Sequence, residues 1–138
     1  GTENILAGDM RALMVGIFQH PFYPFCGDQN PAANMLNVPV PAHTRGMDIR
    51  ELVEMLWIPR LEAFKPEMVF VSAGFDAHRL DDLGQLEMTE TDFAWITSRI
   101  KDVARRHAKG RIVSCLEGGY HLGALARSVE AHIRELQN

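Results

Sequence analysis

The chain has 138 residues, 46% of them hydrophobic and 23% charged, with a formal net charge of −4. That length suits one domain or a large piece of one, and the balance is that of a folded globular chain rather than a disordered one. The charge and the scattered arginines exclude a general nucleic-acid binder, no apolar run reaches the ~20 residues of a membrane helix, and Cys26 and Cys115 are too few for a disulfide framework.

The first apolar run, residues 13–18, is short, continuous and followed by a Pro-rich stretch, and it reads as a strand. A fourth, shorter strand around Leu36, Asn37 and Val38 is stopped by Pro39 and Pro41. Asp48 with Glu51 marks a helix start, and Leu52, Val53, Leu56 and Trp57 lie on one face of that helix. Pro59 kinks or breaks it before Leu61 and Phe64. Residues 68–73 form the next strand. Thr89 and Asp92 then open a helix with Phe93, Ile96, Ile100 and Val103 at helical spacing. After a strand over 111–116, the last helix carries Leu122, Leu125, Ala126, Val129, Ile133 and Leu136 on one stripe. Continuous rather than alternating apolarity in the three main strands implies that both their faces are buried, as in parallel sheets covered by helices. The order predicts an α/β layered fold with a mainly parallel sheet. Residues 19–47 and 74–88 are long, polar connections. Together with the turn Gly118-Gly119-Tyr120 they follow strand ends, and all three are expected to open on one carboxyl edge of the sheet.

Several residues on these loops can carry chemistry. Asp76, just past a strand, is a metal ligand with His78 as a nitrogen partner, or else a turn aspartate accepting backbone N–H groups. Glu117-Gly118-Gly119-Tyr120 lets a ligand approach the backbone, with Tyr120 as an oxyanion donor, or it is simply a tight strand-to-helix turn. The segment from Phe18 to Gly27 walls a pocket with aromatics or tucks into the core. Cys26 has no cationic neighbour in sequence to activate it. His43, His107 and His132 fall on expected surfaces and receive no role.

Taken together, these motifs resemble the zinc-dependent histone deacetylase family, in its class II and bacterial amidohydrolase branch, which includes acetylpolyamine amidohydrolases. The residues that carry the resemblance are Ser72-Ala73-Gly74-Phe75-Asp76-Ala77-His78, Leu83-Gly84, Met88-Thr89 and Leu116-Glu117-Gly118-Gly119-Tyr120. Gly1-Thr2-Glu3, Phe18-Gln19-His20-Pro21-Phe22-Tyr23-Pro24 and Asn37-Val38-Pro39 fit in the same order.

The resemblance implies the arginase/deacetylase three-layer α/β fold and hydrolysis of the C–N bond of an acetyl-amide, acetyl-lysine in a protein or an acetylated small amine such as a polyamine. It implies Zn2+ held by two Asp and one His, of which Asp76 matches the last. It also implies that the other two ligands and a general acid/base His pair lie upstream of Gly1. The chain then corresponds to the C-terminal part of a single catalytic domain, residues 1–138, inactive without its other half. Tyr120 matches the tyrosine that polarises the substrate carbonyl, Gly118 and Gly119 the floor of the acyl pocket, Tyr23 an aromatic tunnel wall and Leu83 the rim. The backbone carbonyls of Leu6, Asp9 and Ala12 match a structural K+ site. Gly16, Asp82 and Tyr23 stand where many members carry Ser, Pro and Phe. The expected compartment is the bacterial cytoplasm, or the nucleus and cytoplasm of a eukaryote, with no membrane or nucleic-acid partner. A nucleotide-binding α/β module and a non-catalytic domain that keeps the deacetylase fold are the competing readings. The first is disfavoured by the lack of a G-x-G-x-x-G or G-K-[ST] pattern.

Overall fold

In the computed structural model, which describes residues 1–138, the chain groups into two compact units, Gly1–Ala42 and His43–Asn138. The first unit opens with a short helix, α1 (Thr2–Leu6), followed by the parallel strands β1 (Met14–Gln19) and β2 (Met35–Val40). The second strand is longer than the residues alone suggest, because it runs through Pro39. The Met14 N–H bonds the Asn34 carbonyl and the His20 N–H bonds the Val40 carbonyl. Even-numbered residues of β2 therefore face β1, and the N–H that Pro39 lacks lies on the other edge.

The second unit starts with α2 (Gly46–Leu52), a π-helical turn over Val53–Trp57 and α3 (Ile58–Phe64). The helix begins earlier than expected. Its N-cap is Arg45, whose N–H bonds the Asp48 carboxylate at 3.2 Å, so Asp48 sits in the first turn rather than at the cap. Pro59 does not end it. Proline cannot donate to the carbonyl four residues back, and the wide turn immediately before it takes up that mismatch. Lys65, left-handed at φ 54°, closes α3.

β3 (Val69–Ala73), α4 (Glu90–His107), β4 (Ile112–Leu116) and α5 (Leu122–Gln137) follow. Strands β3 and β4 pair in parallel, with Val71 opposite Ser114 and Ala73 opposite Leu116. Thr89 caps α4 as its spacing predicts, its N–H and its hydroxyl each bonding the Asp92 carboxylate at 2.8 Å.

The parallel α/β character is as expected, but the strands do not share one ladder. They form two separate pairs, β1 with β2 and β3 with β4. Nor are both faces of β3–β4 covered: Phe70 is 72% exposed and Leu116 61%.

The helix stripes are also displaced. On α5 the fully buried residues are Ala124, Ser128 and His132, while Leu122 and Ile133 stay exposed. Small and polar side chains at four-residue spacing let α5 lie close to α4, whose buried face is Phe93, Thr97, Lys101 and Ala104.

His132, expected on a surface, is instead the centre of a core relay. The Thr97 hydroxyl donates to the Phe93 carbonyl at 2.7 Å, so it accepts from His132 Nδ1–H, also at 2.7 Å. His132 Nε2 then accepts the Ser114 hydroxyl at 2.8 Å, joining α4, α5 and β4 through one neutral ring. Burial holds its pKa below the ordinary 6.5. Below that value the unfolded chain takes up a proton that the folded ring resists, so stability is full above it and falls as the pH drops. Urea melts of the full-length protein at pH 7.5 and 5.5 should show a loss of midpoint that His132→Asn reduces. An equal loss in the variant would assign the acid sensitivity elsewhere.

Candidate active site

Asp76 and Tyr120 stand at the same end of the β3–β4 pair. The turn after β3 and the turn after β4 are laced together by Phe75 N–H to the Gly118 carbonyl at 2.7 Å and Glu117 N–H to the Ala73 carbonyl at 3.0 Å. This is the crevice position that a parallel sheet offers to a ligand.

Three glycines make room for Asp76. A Cβ on Gly118 would lie 2.5 Å from Asp76 Oδ2, one on Gly74 would lie 3.1 Å from Oδ1, and one on Gly84 would collide with the Asp76 carbonyl oxygen. The half-buried Asp76 carboxylate is paired with no cation. Burial pushes its pKa up, its own amide N–H opposes that, and the nearby charge of Asp81 raises it further. What this carboxylate lacks is a positive partner. Gly118→Ala in the full-length protein should displace it, lowering stability by ~1–3 kcal/mol, as denaturant melts would read.

Gly119 has a φ of +137°, a conformation open to glycine, and a Cβ there would also strike Leu125. This glycine turns the chain from β4 into Tyr120. The tyrosine ring is 57% exposed, whereas its backbone is fixed from a distance. Asp81 Oδ2 accepts the N–H groups of Tyr120 at 2.7 Å and His121 at 3.2 Å, and Oδ1 accepts the Leu83 N–H at 3.0 Å. Burial pushes the Asp81 carboxyl up, but the backbone donors of Tyr120, Leu83, His121 and Gly84 more than offset it and hold it low. His121 in turn caps α5, its Nδ1 accepting the Ala124 N–H at 3.1 Å. Asp81 and His121 were not singled out from the residues. The signal available for Asp81 was its place two residues before Leu83-Gly84, a spacing typical of aspartates that accept from the following turn.

His78 is not a ligand partner for Asp76. It is buried, its Nδ1 accepts the Leu80 N–H at 3.1 Å, and its Nε2 faces Glu90 at 3.4 Å. The ring stacks on Phe93 at 6.5 Å and serves the loop instead. That loop, 74–88, is held down by backbone bonds from Arg79 to Met88, Met88 to Ala77 and Glu87 to Thr44. Leu83 is exposed on it, beside Asp82.

In the Gly1–Ala42 unit, Tyr23 is 80% exposed and Phe25 is exposed with it, so the aromatic loop after β1 is not tucked into a core. The Leu6, Asp9 and Ala12 carbonyls do converge, and the point they enclose is taken by the side-chain amide of Asn34. No three His, Cys, Asp or Glu side chains of the chain come together as a metal site. Cys26 and Cys115 are free, and no helix is long and apolar enough to cross a membrane.

Strand ends, glycine cradle and tyrosine turn thus lie together on an arginase/deacetylase α/β fold. The histone deacetylase domain pattern matches residues 1–136, and the chain belongs to that family. It is 37% identical to type-2 histone deacetylase 2 of Dictyostelium discoideum, over 99% of this chain and 9% of that protein. It is 32% identical to the chloroplastic histone deacetylase 14 of Arabidopsis thaliana, over 99% of this chain and 34% of that one. The crystal structure of the HDA15 HD domain superposes with a TM-score of 0.90 at 29% identity, covering 99% of this chain and 40% of that one. The chain thus spans less than half the length of these relatives.

Proposed function

We propose that the protein carrying this chain is a zinc-dependent deacetylase that hydrolyses the C–N bond of an acetylated amine, acetyl-lysine in a protein or an acetylated polyamine. The observation that supports this most is the unpaired, half-buried Asp76 carboxylate, set between Gly74 and Gly118 at the sheet edge that also presents Tyr120. The donor chemistry of Asp76 fits one position of a zinc site, and the remaining ligands and the His pair would come from outside these residues. Zinc, when bound, supplies Lewis acidity toward the amide carbonyl and a more acidic water.

The chain's own residues do the rest. Tyr120 donates its phenolic O–H to the carbonyl oxygen as negative charge develops there. Gly118 and Gly119 form the floor for the acetyl group, and Gly118 without a side chain leaves room beside the Asp76 carboxylate. Leu83 forms the rim along which the amine's alkyl chain enters. Asp81 positions Tyr120 without touching the substrate. The open side of β3–β4, with Phe70, Val113 and Cys115, fits a surface that the remainder of the domain covers.

In an assay of zinc-loaded full-length protein, an acetyl-lysine reporter or an acetylated polyamine should turn over, and the preferred one identifies the substrate class. The 138-residue chain alone should be inactive and should bind zinc poorly, since one carboxylate does not replace a multi-ligand site. Turnover by the isolated chain, or none by the full protein on either substrate, overturns the proposal.

A further inference from the structure

Asn34 is 2% exposed, and its side chain is fully engaged within the Gly1–Ala42 unit. Its Nδ2 lies 2.8 Å from the Leu6 carbonyl oxygen, 3.0 Å from that of Asp9 and 3.1 Å from that of Ala12. Its Oδ1 accepts the Gly8 N–H at 2.9 Å, and its own carbonyl accepts the Met14 N–H at 3.0 Å, tying the amide to the start of β1. A carboxamide nitrogen carries two hydrogens, so three converging oxygens are one more than it can serve by separate bonds.

A ring of inward-pointing backbone carbonyls with no carboxylate among them is the chemistry that holds a monovalent cation such as potassium. The Leu6 and Asp9 oxygens also accept backbone N–H groups, from Asp9 and Ala12, which fixes the ring's shape without filling its centre. An ion within reach of all three oxygens would overlap Asn34 Nδ2. The amide and the ion are therefore mutually exclusive.

We infer that the Asn34 carboxamide stands in for a bound monovalent cation, so that in this protein the ring of Leu6, Asp9 and Ala12 carbonyls takes no potassium. The amide supplies the convergent positive end that the three dipoles need, and it does so at every salt concentration. This inference is independent of the deacetylase reading, since it concerns only how the segment between α1 and β1 is held.

The test compares full-length wild type with Asn34→Ala in potassium chloride and in choline chloride at equal ionic strength. Cations bound elsewhere contribute equally to both proteins and cancel in the difference. In choline the variant should melt about 5 °C or more below wild type, and potassium should restore about half of that loss, because an ion that binds only the folded state stabilises it. Crystals soaked in rubidium chloride should show no anomalous peak among the three carbonyls in wild type and a peak there in the variant. A rubidium peak at the ring in wild type overturns the inference, and that arm stands even if the variant does not fold. An identical potassium response in the two proteins, or a variant crystal with no peak, overturns it as well.

Discussion

Replacing Tyr120 by phenylalanine in the full-length protein is expected to lower kcat by roughly 100-fold or more while bound zinc stays unchanged. The ring is more than half exposed, and it is the backbone N–H, not the phenol, that Asp81 holds. Removing the hydroxyl therefore costs little packing, and stability should shift by no more than ~1 kcal/mol. Under the proposed mechanism what is lost is one donor to an oxygen that becomes negative only during reaction, so the effect falls on kcat more than on KM. A Tyr120→Phe enzyme with near-normal kcat would confine the tyrosine to the turn and end its assigned role.

Asp76→Ala should behave differently, losing zinc and activity together. The carboxylate is half-buried without a cationic partner, and burial is the largest influence on it. In the metal-free protein its removal relieves a desolvation penalty, so the melting temperature should hold or rise. The stabilisation that wild type gains on adding zinc should disappear in the variant. An aspartate serving only as a turn acceptor would give the opposite pattern, a lower melting temperature without metal and normal zinc uptake. Thermal melts with and without zinc, run beside metal analysis, distinguish the two.

Local signals in the residues translated well where one short segment decides the outcome. Thr89 with Asp92 marked the start of α4, the apolar runs ending at Gly74 and Gly118 marked β3 and β4, and both turns fall at one end of that pair. Features that depend on distant partners did not. His132 looks like a surface histidine until Thr97 and Ser114, 35 and 18 residues away, supply its acceptor and donor. Ser128 and Ala124 form the buried stripe of α5 because close helix packing selects small side chains, whereas counting apolar residues selects Leu122 and Ile133. Unbroken apolarity correctly announced parallel strands, yet it could not say that β1 would pair with β2 rather than with β3. Asn34 gave no sign at all, since an asparagine before a strand is ordinary and only the fold turns three carbonyls toward it.

The bond from Asp81 to the Tyr120 amide crosses 39 residues of chain, from the loop after β3 to the turn after β4. Tyr120 is therefore not placed by its immediate neighbours, however compact the Glu117-Gly118-Gly119-Tyr120 segment looks on paper. For chimeras built between relatives, the smallest exchangeable piece is a discontinuous one. It pairs residues 81–84 with residues 117–121, and a graft of the tyrosine turn alone would carry Tyr120 without the anchor that fixes its backbone.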